Sequence, residues 1–143
     1  MTESDQPHWE HFDHAADIGV RGIGKSLGEA FEQAALAMTA VVSSLQCVSP
    51  QSQVQIECRD NDPELLFVDW LNSIIFEMAT RKMLFSRFKV EVNGERLEAT
   101  AWGEQINVDR HQPAVEIKGA TYTALHVGRG QNNQWVAETV IDV

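Results

Sequence analysis

The chain has 143 residues, 43% hydrophobic and 22% charged, and its eleven basic and twenty-one acidic residues give a formal net charge of −10. That length predicts one domain with a substantial core. The acidic balance argues against autonomous, stable binding of RNA or DNA, which rests on Lys and Arg neutralising phosphates; a basic partner protein or a metal ion complements such a surface better.

Residues 1–8 are polar and acidic and read as a flexible segment ahead of a domain spanning 9–143. They contain no apolar signal region, and the longest apolar stretches fall far short of a membrane span, so a cytoplasmic protein is expected. From 9 to 24, two short extended segments flank His14-Ala15-Ala16-Asp17, followed by Gly19, Gly22 and Gly24. Ser26 and Glu29 form a capping-box pattern. Leu27, Ala30, Phe31, Ala34, Met38, Val41, Val42 and Leu45 then trace one apolar helical face. Residues 53–58 alternate, with Val54, Ile56 and Cys58 on one side of a strand.

Asp62-Pro63 is an N-cap with a first-turn proline, and it starts a helix running to about Arg81. The core face of that helix carries Leu66, Trp70, Leu71, Ile74, Ile75 and Met78. The basic run 81–89 reads as cations at a helix C-terminus followed by an alternating strand. Phe88, Val90 and Val92 lead to the hairpin signal Asn93-Gly94, after which Leu97, Ala99 and Ala101 return. Residues 116–127 and 134–142 predict a second hairpin across the loop 128–133. The order β-β-α-β-α-β-β-β-β predicts a single α+β domain, two main helices packed on a largely antiparallel β-sheet.

Cys47 and Cys58 have no CxxC or HxxxH companion, so free thiols are expected rather than a zinc site. His8, His11 and His14 share a spacing of three, but in an extended chain that spacing alternates faces and cannot converge on an ion. His111 and His126 read as surface or hairpin residues. Lys118 lies in an alternating run, where lysine usually faces solvent. No P-loop, GxSxG, HExxH or GxGxxG is present.

Two carboxylates stand out. Asp17 sits in a small, apolar stretch and in isolation reads as a turn or cap residue. Asp142 follows the last alternating run and shares parity with Val136, Glu138 and Val140; alone it reads as a solvated terminal charge. With Val143, which can offer only main-chain oxygen, they make a set of hard oxygen donors of the kind Ca²⁺ and Mg²⁺ select. The set forms only if the first and last strands are neighbours.

Seven segments in order resemble the archease family: 12–20 (FDHAADIGV), 68–72 (VDWLN), 84–88 (LFSRF), 99–104 (ATAWGE), Arg110-His111, 116–122 (EIKGATY) and 141–143 (IDV). The resemblance implies an archease-like fold and a non-enzymatic accessory protein for RtcB-type RNA ligases, which use GTP and metal to join RNA ends in tRNA splicing and repair. It implies that the protein promotes guanylylation and repeated turnover of the ligase. It also implies a divalent cation, Ca²⁺ before Mg²⁺ or Mn²⁺, held by Asp17, Asp142 and Val143. His14 matches the motif histidine, and Lys118 a family lysine tied to activity. Ala15 stands where the family has threonine, and Thr123 where it has histidine. The competing readings are a general chaperone or interaction module for RNA-modifying enzymes, such as a tRNA methyltransferase, and a metal-dependent hydrolase using His14, Asp17, Lys118 and Asp142.

Overall fold

Alternation and turn chemistry set the strands of the computed structural model, which describes residues 6–143. Most of the 1–8 segment expected to be flexible therefore lies outside the described residues. The strand β1 (His8–His14) turns back at Ala15-Ala16 into β2 (Asp17–Gly24), pairing His14 with Asp17. Ala15 takes φ +51°, a left-handed conformation that costs an alanine about 1 kcal/mol.

Helix α1 (Leu27–Val42) starts where the capping box predicts. The Glu29 N–H donates to Ser26 Oγ (3.1 Å), and the Glu29 carboxylate reaches back to the Lys25 N–H (2.7 Å) rather than to that of Ser26. The helix ends at Val42, and Leu45 belongs to a separate 3-10 turn. After β3 (Ser52–Arg59), helix α2 (Pro63–Arg81) begins at an Asp62 carboxylate accepting from the Glu64 N–H (2.9 Å). It ends in a left-handed Lys82.

The strands β4 (Met83–Asn93) and β5 (Arg96–Gln105) form the expected hairpin, but Asn93 pairs with Arg96. The tight turn is therefore Gly94-Glu95, one residue later than the Asn-Gly signal suggests. Within this turn only Gly94 has positive φ (+63°), as a glycine-first hairpin turn requires. A bulge between Phe85 and Arg87 keeps Phe85 and Phe88 both buried.

A short helix α3 (Val108–His111), absent from the sequence reading, follows. The run 116–127 is not one strand: it yields only β6 (Gly119–Ala120) and β7 (His126–Arg129), separated by the turn 121–125. Both pair with β8 (Trp135–Asp142).

The strands divide into two antiparallel sheets rather than one. One is ordered β1-β2-β8-β6, with β7 also on β8; the other is β3-β5-β4. Helix α1 packs on β2 and β8 of the first sheet and β4 of the second, while α2 touches β3, β4, β6, β7 and β8. Both helices thus bridge the sheets, and one core forms among them. Phe31, Met38, Phe67, Trp70, Leu71, Ile74, Phe85, Leu97 and Ile141 are fully buried in it. The Trp70 indole N–H, which burial would otherwise orphan, donates to the Phe31 carbonyl (3.0 Å) and ties α2 to α1.

Candidate functional site

The first sheet aligns the residues singled out from the sequence. His14 faces Asp17 across the β1–β2 turn, and Gly119 faces Asp142 across β6–β8. Between them, β2 and β8 pair in a register that reaches Ile18 opposite Ile141. One step further sets Asp17 opposite Asp142. His14, Asp17, Asp142 and Gly119 therefore form a row across four strand ends. Residues directly opposite in antiparallel strands share a face, about 5 Å apart at Cα.

The identity of that face follows from packing. A Cβ on Gly22 would fall 2.1 Å from the Ala30 carbonyl oxygen and 2.3 Å from the Ala34 nitrogen, so the even positions of β2 face α1. Asp17, two steps from Gly19 and four from Arg21, lies on the opposite face. Asp17 and Asp142 are half-buried residues, whereas His14 and Lys118 are exposed. Val143, one residue past Asp142, points the other way and packs against the core as Ile141 does. Its side chain is an anchor, leaving main-chain oxygen as its only donor at this end.

Arg21, a cation on the same face, does not serve the pair. Arg21 is taken up by Glu138 (Nε to Oε1, 2.7 Å) and Glu10 (Nη1 to Oε1, 2.9 Å), and its guanidinium stacks 4.7 Å from the Phe12 ring centre. Phe12 lies over Gly19, where a Cβ would come 2.2 Å from the ring, and so separates the Arg21 cluster from Asp17. The Glu10 carboxyl is held below its usual range, chiefly by the Arg21 hydrogen bond. Asp17 and Asp142 have no ion pair or side-chain hydrogen bond among the described residues. Two neighbouring carboxylates with no positive partner repel, and a bound cation is the group that offsets this. The donor set is all oxygen, which suits Ca²⁺. Among the described residues no group of three or more His, Cys, Asp or Glu side chains is arranged to hold a metal ion. Any ion here takes two carboxylates plus main-chain oxygen, water or a partner's groups.

Lys118 is not in a strand but in the segment leading to β6. Its backbone N–H donates to the Asp142 carbonyl (2.8 Å), fixing the end of β8. Asn72 of α2, for which the sequence suggested no role, accepts from the Ala120 N–H (2.9 Å) and pins the same segment to the helix. Its place in the 68–72 segment (VDWLN) was the available signal. Thr123 lies beside β8 with its carbonyl accepting from the Val140 N–H (3.1 Å), and Ala15 occupies the β1–β2 turn next to Asp17.

His111, expected at the surface, is buried. Its Nδ1 accepts from the Asn107 N–H (2.8 Å), so Nε2 carries the proton and donates to Glu104 Oε2 (3.0 Å). Glu104 also takes a two-pronged bond from Arg110 (2.7 and 2.8 Å) and one from the Ser49 N–H (2.7 Å). This cluster fastens α3 to β5 and lies outside the carboxylate row. The histidines of β1 do not converge: His11 Nε2 bonds the Ala37 carbonyl (2.7 Å) on the α1 side, while His14 joins the opposite face. Both cysteines are free thiols.

The geometry defines a two-sheet α+β domain with a carboxylate pair at the joined ends of its N- and C-terminal strands. The sequence model of the archease protein family matches residues 9–143, and the chain belongs to that family. It is 34% identical over 139 residues to protein archease of Thermococcus kodakarensis, covering 94% of this chain and 98% of that one. Protein archease of Pyrococcus furiosus is 32% identical over the same coverage. The solution structure of protein 1598 of Methanobacterium thermoautotrophicum superposes with a TM-score of 0.83 at 32% identity, over 94% of this chain and 98% of that one. A crystal structure from Thermotoga maritima, described as an archease and possible chaperone, shares the fold at a TM-score of 0.61 and 19% identity, over 94% and 96% of the two chains. Among the described residues no helix is long and apolar enough to cross a membrane.

Proposed function

We propose that the protein is a non-enzymatic accessory activator of an RtcB-type, GTP-dependent RNA ligase, acting in the cytoplasm in tRNA splicing and RNA repair. It promotes guanylylation of the ligase and its repeated turnover. Family membership supports this reading, and the observation that carries it is the β2–β8 register, which runs to Ile18 opposite Ile141 at the strand ends that carry Asp17 and Asp142. Asp17 and Asp142 supply carboxylate oxygen to a divalent ion, Ca²⁺ before Mg²⁺ or Mn²⁺, and Val143 supplies main-chain oxygen. When bound, the ion offsets the pair's charge and keeps coordination positions open to a partner. His14 and Lys118 are exposed on either side and are placed to meet that partner directly. The net charge of −10 favours docking on a basic RNA-binding enzyme over holding RNA.

The test is multiple-turnover RNA ligation by the RtcB-type ligase of the same cell, with GTP, with and without this protein. Wild-type protein is expected to stimulate, and folded Asp17→Ala and Asp142→Ala variants to leave the ligase at its unassisted rate. Full stimulation by folded Asp142→Ala would remove the carboxylate pair from the mechanism. No stimulation by wild type would remove the ligase and bring the general chaperone reading forward.

A further inference from the structure

Two of the outer edges of the sheets carry side-chain acceptors for strand N–H groups. In β4, the Val90 N–H is taken by the Glu32 carboxylate of α1 (2.8 Å). On the β6–β7 side, Asn72 takes the Ala120 N–H and the Glu64 carboxylate takes that of Val127 (3.3 Å). The strands β1 and β3 have no such bond among the described residues, and β3 borders an open trough. It pairs only with β5, runs eight residues, and carries no proline, lysine or bulge of the kind that normally blunts an edge.

Along β3 runs an open trough of about 440 Å³. Gln55, Ile56, Glu57 and Cys58 form one wall, and the outer face of α2 the other. Phe76 stands in the helix wall 61% exposed, an unusual setting for a large aromatic side chain. Cys58 Sγ meets Ser73 Oγ (3.4 Å) and links the walls. Glu57, Asp69 and Glu77 line the trough and no basic residue does. Glu77 is matched by Arg81 and Glu57 by Arg96, leaving Asp69 without a cation. Burial and then repulsion from Asp60 push the Asp69 carboxyl upward.

We infer that β3 and this face of α2 form a docking site for a basic, extended segment of a partner protein, which adds as a fourth strand to the β3-β5-β4 sheet. Main-chain hydrogen bonds to the free edge hold the segment, an apolar side chain covers Phe76, and a Lys or Arg side chain meets Asp69. This goes beyond the proposed function: it assigns a second surface, formed without Asp17 or Asp142, and holds whichever enzyme supplies the segment.

The test uses the isolated full chain and a synthetic ten-residue peptide alternating Lys with Val. Binding is followed by amide NMR and hydrogen exchange. Amides of β3 are expected to shift and to gain at least about tenfold protection. Phe76→Ala, an exposed position that leaves the fold unchanged, weakens binding about fivefold or more. Asp69→Asn weakens it at low salt and little at high salt. The same peptide N-methylated on one edge does not bind. Asp142→Ala binds the peptide as wild type does, so failure here and failure of the ligase reading are separable. Equal binding of the N-methylated peptide, or of a Glu-Val peptide, would overturn the inference. So would shifts confined to surfaces away from β3 and α2.

Discussion

Gly22 carries more of the fold than its place in a short strand suggests. With no side chain it lets the α1 backbone approach until a Cβ would lie 2.1 Å from the Ala30 oxygen. The obstruction is helix backbone, which cannot swing aside as a side chain could. Gly22→Ala is therefore expected to destabilise the protein by about 3 kcal/mol, toward the upper end for overpacking, measured by urea unfolding. A stability within 0.5 kcal/mol of wild type would mean that α1 can shift off β2. The sequence offered three glycines in this stretch with nothing to rank them, because a close approach depends on a partner far along the chain. Asp17 and Asp142 were legible differently. Their odd settings and strand parity marked them, but their adjacency depended on β2 pairing with β8, a contact no local pattern encodes.

Among the elements, those with strong punctuation matched their sequence signals. The Ser26 and Asp62 caps started both long helices, and the apolar alternation of Val54, Ile56, Leu97, Ala99 and Ala101 did face the core. The segment 105–125 did not follow suit, because it is held by side chains rather than by periodicity. Glu104 anchors α3 there through Arg110, the Ser49 N–H and His111, and Ser43 Oγ adds a bond to the His111 carbonyl (2.8 Å). Those donors favour the carboxylate, with the Arg110 bond foremost, and hold the Glu104 carboxyl well below the ordinary range. A group depressed on folding gives stability that is present above its unfolded value, near pH 4.3, and lost as pH falls toward its folded one. Wild-type stability is thus expected to fall below about pH 5 more steeply than that of Glu104→Gln. The variant should be less stable at pH 7, and the two curves should converge in acid. Parallel curves from thermal melts across pH 3–7 would show that Glu104 does not carry this acid sensitivity.

At the scale of the whole molecule, β8 joins the first sheet together. It lies between β2 on one side and β6 and β7 on the other, so the last strand of the chain closes against the second. Asp17 and Asp142 stand at the end of that seam, one step past the Ile18–Ile141 pair. Repulsion between them opposes the β2–β8 pairing, and an ion held by both would reinforce it, so stability itself reports on the site without any ligase. With chelator present, Asp17→Asn or Asp142→Asn removes the repulsion and is expected to raise the melting temperature by about 2 °C over wild type. Added Ca²⁺ should reverse the order. At about one hundred times the dissociation constant it stabilises wild type by about 2.7 kcal/mol, because it binds the folded chain alone, and it leaves both asparagine variants where they were. Amide exchange should slow along β2 and β8 together, since one ion would be bracing both strands. A Ca²⁺ shift that survives in both variants would place the ion elsewhere. The absence of any shift, with the variants still stabilised in chelator, would mean that the carboxylate pair serves a partner's cation instead.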